Sequence, residues 1–97
     1  MAKKYSFEFQ LGKLIERREG LVIGRDVAQC DIVLSHATVS RLHARLLLAD
    51  GALQIDDLDS TNGTSVDGEL VLPGECRALQ VGANLKIGEI TLAVASS

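Results

Sequence analysis

Short runs of alternating apolar and polar residues make up most of this sequence. In Tyr5-Ser-Phe-Glu-Phe-Gln-Leu11 every second side chain is apolar, which is the period of a strand with one buried face. No long stretch repeats apolar residues at the spacing of an amphipathic helix. The further strand candidates are Leu21–Ile23, Asp31–Leu34, His43–Ala49, Ala52–Asp57, Thr64–Val66, Arg77–Val81 and Asn84–Val94.

Residue pairs that favour tight turns lie between these runs. Asp50-Gly51 and Asp67-Gly68 tolerate the positive φ of two-residue hairpins, and Gly88-Glu89 is a third candidate. Pro73-Gly74 marks a further turn. Strands and turns that follow one another at roughly 8–12 residues are typical of an antiparallel sandwich or barrel.

Composition narrows the function classes. The chain has 97 residues, 46% of them hydrophobic, which is enough for one domain with its own core. Tyr5, Phe7 and Phe9 are its only aromatic residues, so stacking on nucleic-acid bases has little support. Apolar runs such as Leu46–Ala49 are far too short to cross a membrane, and no export signal follows Met1. We expect no nucleic-acid partner and no membrane association.

The two cysteines predict neither a metal site nor a disulfide. Cys30 and Cys76 belong to no CxxC pair, and no histidine lies at metal-ligand spacing from either one. We interpret them as reduced, partly buried thiols, and we expect a bacterial cytoplasmic protein. The C-terminal Ala-Val-Ala-Ser-Ser fits a complete small protein as well as a domain of a longer chain.

Charge is distributed unevenly along a chain whose net charge is −3. Residues 1–45 carry eight basic and five acidic side chains, whereas residues 46–97 carry two basic and eight acidic ones. An acidic protein repels polyanions, yet a small anion site is compatible with its basic half.

Three predicted loops contain hydrogen-bond donors suited to a phosphate. They are residues 24–30, 35–41 and 60–63. If these loops meet at one end of a sandwich, their guanidinium, hydroxyl and amide groups face a common point. The donors are Arg25, Ser40, Arg41, Thr61 and Asn62.

These segments resemble, in order and spacing, the motifs of the forkhead-associated (FHA) domain, a module that binds phosphothreonine peptides. The resemblance covers residues 21–68 and implies an all-β fold: an antiparallel β-sandwich of two sheets with about 10 or 11 short strands. It also implies a single FHA domain over residues 1–97. The matching segments are Leu21-Val-Ile-Gly-Arg25, Asp31-Ile-Val-Leu34, Val39-Ser-Arg-Leu-His-Ala44, Asp56-Asp-Leu-Asp-Ser-Thr-Asn-Gly-Thr64 and Val66-Asp-Gly68.

The resemblance also implies roles for the loop residues. Arg25 would contact the phosphate, Ser40 would donate its hydroxyl to a phosphate oxygen, and Arg41 would add a second positive group. Thr61 would line the site near the phosphothreonine, and Asn62 would bind the peptide main chain beside it.

Three further residues match positions that hold the loops in this family: Gly24, His43 and Gly63. His36 has two interpretations, an exposed loop histidine or a residue near the bound peptide. Thr38 lies where a peptide-selecting residue would be expected.

Other chemistry at these positions is less well supported. Ser40 and His43 resemble a nucleophile and base, but residues three apart on a strand face opposite sides and no GxSxG elbow is present. The acidic run Asp56–Asp59 lacks the ligand spacing of a calcium loop, so we predict a solvated strand end.

The sequence therefore predicts a reversible reader of phosphothreonine, either on a partner protein or on its own parent chain. We expect no catalysis, no metal and no cofactor, and dependence on an upstream Ser/Thr protein kinase. The alternative is a phospho-independent assembly domain that uses another face of the sandwich.

Overall fold

The computed structural model describes residues 4–9, 20–49 and 52–96, which contain ten strands and no helix. One five-stranded sheet has the order β1-β10-β9-β6-β7 and the other has the order β3-β2-β4-β5-β8. The strands are β1 (Lys4–Phe9), β2 (Leu21–Gly24), β3 (Ile32–Val33), β4 (Ala44–Ala49), β5 (Ala52–Asp57), β6 (Thr64–Val66), β7 (Glu69–Val71), β8 (Cys76–Ala78), β9 (Asn84–Ile87) and β10 (Ile90–Ser96).

Alternating side chains from both sheets form one apolar core. Leu46 and Ile55 lie opposite each other on β4 and β5 and are fully buried, as are Leu85 and Ile87 of β9. Burial of each such side chain is worth roughly 1.5–3 kcal/mol. The other buried apolar residues are Leu21, Ile23, Val39, Ala44, Leu53, Val66, Val71, Leu79, Ala83, Ile90, Leu92 and Val94.

The predicted turns close the hairpins. Asp67 and Gly68 both have positive φ, as a type I′ turn requires, and they join β6 to β7. Gly88 (φ +60°) opens the two-residue connection between β9 and β10. Gly74 (φ +84°) takes the third position of a turn closed by a bond from Glu75 N to Leu72 O at 2.9 Å. The predicted turn at Asp50-Gly51 lies outside the described residues.

The predicted two-sheet β-sandwich is confirmed, with differences in detail. β1 pairs with β10, and β2 with β3, in parallel. β3 has only two residues and pairs in parallel with the end of β2. Because so little strand has to be paired, the short β2–β3 loop can place β3 beside β2 without a longer crossover. The Glu69–Val71 strand, β7, was missed because three residues between two turns give too short an alternation. The predicted run Asn84–Val94 divides at Gly88 into two strands.

Candidate functional site

The three donor-containing loops meet at one end of the sandwich, beside the β9–β10 hairpin. The amide of Arg25 donates to Ser40 O at 3.0 Å, which joins the β2–β3 loop to the β3–β4 loop. The amide of Gly88 donates to Gly63 O at 3.1 Å, which joins the hairpin to the β5–β6 loop. Main-chain bonds thus fix the relative positions of the loops.

Arg25 is exposed, and of its three guanidinium nitrogens only Nε bonds another described residue. Its Nε donates to Val39 O at 3.0 Å, and no bond from its two terminal nitrogens to another described residue is present. The preceding Gly24 lies against the carbonyl oxygen of Arg41, and a Cβ there would also stand 2.8 Å from Cys30 Sγ. Glycine is therefore required for the two loops to approach each other.

Arg41 provides a second exposed cation. Its side chain is 74% exposed, and its Nη2 lies 3.7 Å from Asp26 Oδ2. The Asp26 carboxylate accepts bonds from Ala28 N and Gln29 Nε2, and these bonds, the Ala28 one foremost, lower its pKa. A long, solvated ion pair of this kind is weak, so Arg41 remains available to an anion.

Ser40 has a hydroxyl hydrogen that no described residue accepts. Its Oγ accepts a bond from Thr61 N at 3.0 Å, which anchors the exposed Thr61 beside it. A hydroxyl that already accepts one bond can still donate its hydrogen, so Ser40 is suited to an incoming oxygen acceptor.

His43 is fully buried and holds two loops together. Its Nδ1 accepts from Ser40 N at 3.0 Å, so Nε2 carries the hydrogen and donates to Gly63 O at 2.8 Å. Burial lowers the pKa of His43, against smaller opposing effects of Gly63 and Asp57. Both ring nitrogens are occupied by main-chain groups, so His43 is not placed as a base for the Ser40 hydroxyl.

Protonation of His43 is expected to weaken the hydrogen bonds by which it joins the two loops. Because its pKa is lowered in the folded protein, the unfolded chain binds the proton more readily, and stability should fall as pH drops below about 6.5. The slope contributed by one such group is at most about 1.4 kcal/mol per pH unit. Urea unfolding of the His36→Gln variant between pH 5 and 7.5 isolates His43, and a flat profile there would contradict the prediction.

Asn62 and Thr38 link the β5–β6 loop to the β3–β4 loop. Asn62 Nδ2 donates to Thr38 O at 2.9 Å. Its amide oxygen accepts no bond from another described residue and is exposed. The Thr38 hydroxyl accepts from Glu89 N at 2.9 Å and lies 2.8 Å from His36 Nδ1. The predicted peptide-selecting residue is thus tied to three neighbours, and half-buried His36 packs against it.

Asp57 supports the β5–β6 loop, a role that sequence reasoning missed. It is 4% exposed and accepts bonds from Ser60 N, Ser60 Oγ and Thr64 Oγ1, while Ser60 Oγ in turn accepts from Gly63 N. The predicted solvated strand end is therefore wrong for Asp57, whereas Asp59 in the same run is exposed as predicted. The spacing of three residues from Asp57 to Ser60, and again from Ser60 to Gly63, is the local signal that could have predicted these hydrogen bonds.

Asp56 is a second residue of the acidic run that is buried where solvation was predicted. It is 7% exposed and pairs with Arg45, whose Nη2 lies 2.8 Å from its Oδ2. The hydrogen bond that Arg45 donates to the Asp56 carboxylate raises the pKa of Arg45. Because the Arg45 guanidinium on the adjacent strand neutralises it, the Asp56 carboxylate can be buried.

A sequence model of the FHA domain matches residues 21–88, the segment that contains all of these loops. The chain belongs to the FHA domain family. Its structure is similar to the FHA-2 domain of a Mycobacterium tuberculosis ABC transporter, with a TM-score of 0.67 and 37% identity over 78% of this chain and 67% of that one. It is also similar to the N-terminal FHA domain of an S. cerevisiae protein in complex with a phosphothreonine peptide, with a TM-score of 0.64, 28% identity, and coverage of 80% and 66%.

This FHA domain also has bacterial relatives with regulatory names. The oxoglutarate dehydrogenase inhibitor of Corynebacterium efficiens is 38% identical over 66% of this chain and 43% of its own length. The glycogen accumulation regulator GarA of Mycolicibacterium smegmatis is 40% identical over 64% of this chain and 37% of its own. The chain thus spans less than half the length of these relatives, which fit the expected bacterial origin.

Both cysteines of the FHA domain, Cys30 in the β2–β3 loop and Cys76 in β8, have free thiols. Cys30 is partly buried as predicted, and burial raises the pKa of its thiol, whereas Cys76 is exposed, which contradicts the prediction for that residue. Residues 4–9, 20–49 and 52–96 contain no group of three or more metal-ligating side chains that could hold an ion. Over the same ranges, no helix is long and apolar enough to cross a membrane.

Proposed function

We propose that this FHA domain binds phosphothreonine in a partner protein, or in its own parent chain, as a reversible reader of Ser/Thr kinase activity. The observation that carries the proposal is the convergence of Arg25, Ser40 and Arg41, each with donors that no described residue fully uses. A phosphothreonine carries about −1.5 to −2 charges and three strong acceptor oxygens, which matches these donors.

Each loop residue has a part in this proposal. The terminal nitrogens of Arg25 bind two phosphate oxygens, while Arg41 leaves Asp26 and approaches from the opposite side. Ser40 donates its hydroxyl to the remaining oxygen. Thr61 lies beside the phosphothreonine side chain, and the amide oxygen of Asn62 accepts a main-chain N–H of the ligand.

The remaining residues act indirectly. His43 and Gly63 hold the loops from below, and Gly24 lets them approach each other. Thr38 and His36 position Asn62 through the Thr38 carbonyl. Because several of these bonds are main-chain bonds, the site is largely preorganised before the ligand arrives.

The family and its regulator-named relatives indicate a non-catalytic binding module. We further propose that the domain has no enzymatic activity, that residues 1–97 form a single FHA domain, and that it works in the cytoplasm. Free cysteines favour that reducing compartment, where kinases supply phosphothreonine.

The overall charge of −3 opposes binding to nucleic acid or to anionic membranes, so neither is proposed as a partner.

Isothermal calorimetry with four versions of one peptide tests this function. The peptide carries phosphothreonine, phosphoserine, phosphotyrosine or threonine at a central position flanked by alanines. We expect micromolar binding of the phosphothreonine form, weaker binding of the phosphoserine form and no detectable binding of the other two. Equal binding of all four would point instead to a phospho-independent assembly domain.

A further inference from the structure

Strands β7 and β8 lie together along one side of the sandwich, away from the binding loops. Each is the last strand of its sheet. Side-chain contacts join them, since Arg77 Nη2 of β8 donates to Leu70 O of β7 at 3.5 Å and Arg77 Nη1 lies 4.0 Å from Glu69 Oε1. We call this stretch, residues 69–78, the β7–β8 edge.

Main-chain groups of β8 point away from its sheet. On the inner side β8 pairs antiparallel with β5, and Leu79 N donates to Leu53 O at 2.9 Å. Because antiparallel partners alternate between bonded and non-bonded pairs, the N–H and C=O of Arg77 face β5, whereas those of Cys76 and Ala78 face outward. No described strand pairs with that outer side. β8 is therefore an open edge to which another strand can add.

Apolar side chains are exposed along the same edge. Leu70 is 56% exposed and Leu72 is 53% exposed. Cys76 and Ala78, the two residues with outward-facing main-chain groups, are also exposed. Open main-chain groups beside exposed apolar side chains are typical of a surface that binds another protein chain.

Charges on β8 decide which strand fits this edge. Glu75 and Arg77 flank Cys76, and within one chain Arg77 Nη2 lies 2.8 Å from Glu75 Oε1. If two β8 strands pair antiparallel with Cys76 opposite Cys76 of a second copy, each Glu75 lies opposite an Arg77. A shift of two residues either way puts Arg77 opposite Arg77 or Glu75 opposite Glu75, and like charges directly opposite destabilise a sheet. The strand is thus complementary to itself in one register.

From this self-complementarity we propose that the β7–β8 edge is an interface between two copies of this domain, whose β8 strands pair antiparallel about Cys76. One sheet then continues across both copies, and Leu70 and Leu72 lie beside the junction. The interface is additional to the proposed phosphopeptide site and does not depend on it. Because antiparallel pairing reverses the strand direction, the binding loops of the two copies point in opposite directions. With the function proposed above, the dimer carries two phosphothreonine sites.

Sedimentation equilibrium in reducing buffer, from micromolar to millimolar protein, tests the proposal. Short strands bury little area, so we expect a weak dimer whose average mass rises with concentration from one chain toward two. Arg77→Glu and Glu75→Arg should each weaken association about tenfold or more, because like charges then face each other twice across the interface. An equimolar mixture of the two variants restores opposite charges and should associate as wild type does. Lys86→Glu, which reverses an exposed charge on β9, is the matched control and should leave association unchanged.

A cross-linking experiment needs no substitution in the interface. The Cα atoms of a bonded antiparallel pair are about 5.5 Å apart, within the range of about 4.4–6.8 Å that a disulfide spans. Diamide takes up the two electrons and two protons that two thiols release, leaving a Cys76–Cys76 bond between copies. Wild type should form this bond about tenfold or more faster than Cys76→Ser/Ala28→Cys, whose exposed thiol lies in the β2–β3 loop, because pairing holds the two Cys76 thiols together.

Four outcomes would overturn the proposal. They are a wild-type mass that stays at one chain, single charge variants that associate as wild type does, a mixture that fails to restore association, and cross-linking no faster at Cys76 than at the loop position. Urea unfolding of each variant shows whether it is folded, and the cross-linking of wild type decides the matter if a charge variant is not.

Discussion

Arg25→Ala should reduce phosphothreonine-peptide affinity at least a hundredfold while the domain stays folded. Hydrogen bonds to charged groups are worth about 1.5–3 kcal/mol each, and the two terminal nitrogens of Arg25 are placed to make two of them. A micromolar complex totals only about 8 kcal/mol, so a loss of about 3 kcal/mol or more brings binding near the detection limit. Calorimetry with the phosphothreonine peptide measures the effect.

Folding of the Arg25→Ala variant should change little. The substitution removes one described bond, from Arg25 Nε to Val39 O, which is worth about 1 kcal/mol. Arg77→Ala is the matched control, because it removes one positive charge from β8 and breaks exposed pairs with Glu69 and Glu75. Undiminished binding by Arg25→Ala, or an equal loss in Arg77→Ala, would show that the phosphate is not bound where we place it.

The residues that we propose to bind the phosphopeptide could be predicted from the sequence because they lie in short segments. Arg25 follows a glycine at the end of a strand, and Ser40 and Asn62 belong to loops with an unusual content of donors. The fold class was readable for the same reason, since alternation and turn pairs such as Asp67-Gly68 are local signals.

The hydrogen bonds that hold the loops in place join residues distant in the chain, and no local pattern reveals such contacts. The bond from Glu89 N to Thr38 Oγ1 joins positions 51 residues apart, and it makes Thr38 part of the loop framework as well as a predicted selectivity residue. Asp57 was misread because an acidic run is usually solvated, whereas here Ser60 and Thr64 fold over it. Composition states which groups are charged but not which of them become buried.

Asp57→Asn, at the end of β5, should lower the free energy of unfolding by about 2–4 kcal/mol. The carboxylate accepts bonds on both oxygens. Asparagine has one acceptor oxygen, so it can keep either the bond from the Ser60 amide or the bonds from the Ser60 and Thr64 hydroxyls, and the remaining donors lose their buried acceptor. Urea unfolding at pH 7 measures the loss.

The pH dependence separates this effect from simple removal of a charge. Burial alone would raise the pKa of Asp57, but the bonds from Ser60 and Thr64 outweigh it and hold the pKa below its ordinary value. Its stabilising contribution is therefore complete above about pH 4 and disappears as pH falls further, so the wild-type profile should drop there more steeply than that of Asp57→Asn. Asp59→Asn, at an exposed position with φ +62° that asparagine tolerates, removes the same charge and should keep both stability and the wild-type slope. If Asp59→Asn destabilised the domain as much as Asp57→Asn does, loss of a negative charge from this segment, and not loss of the buried hydrogen bonds of Asp57, would explain the effect.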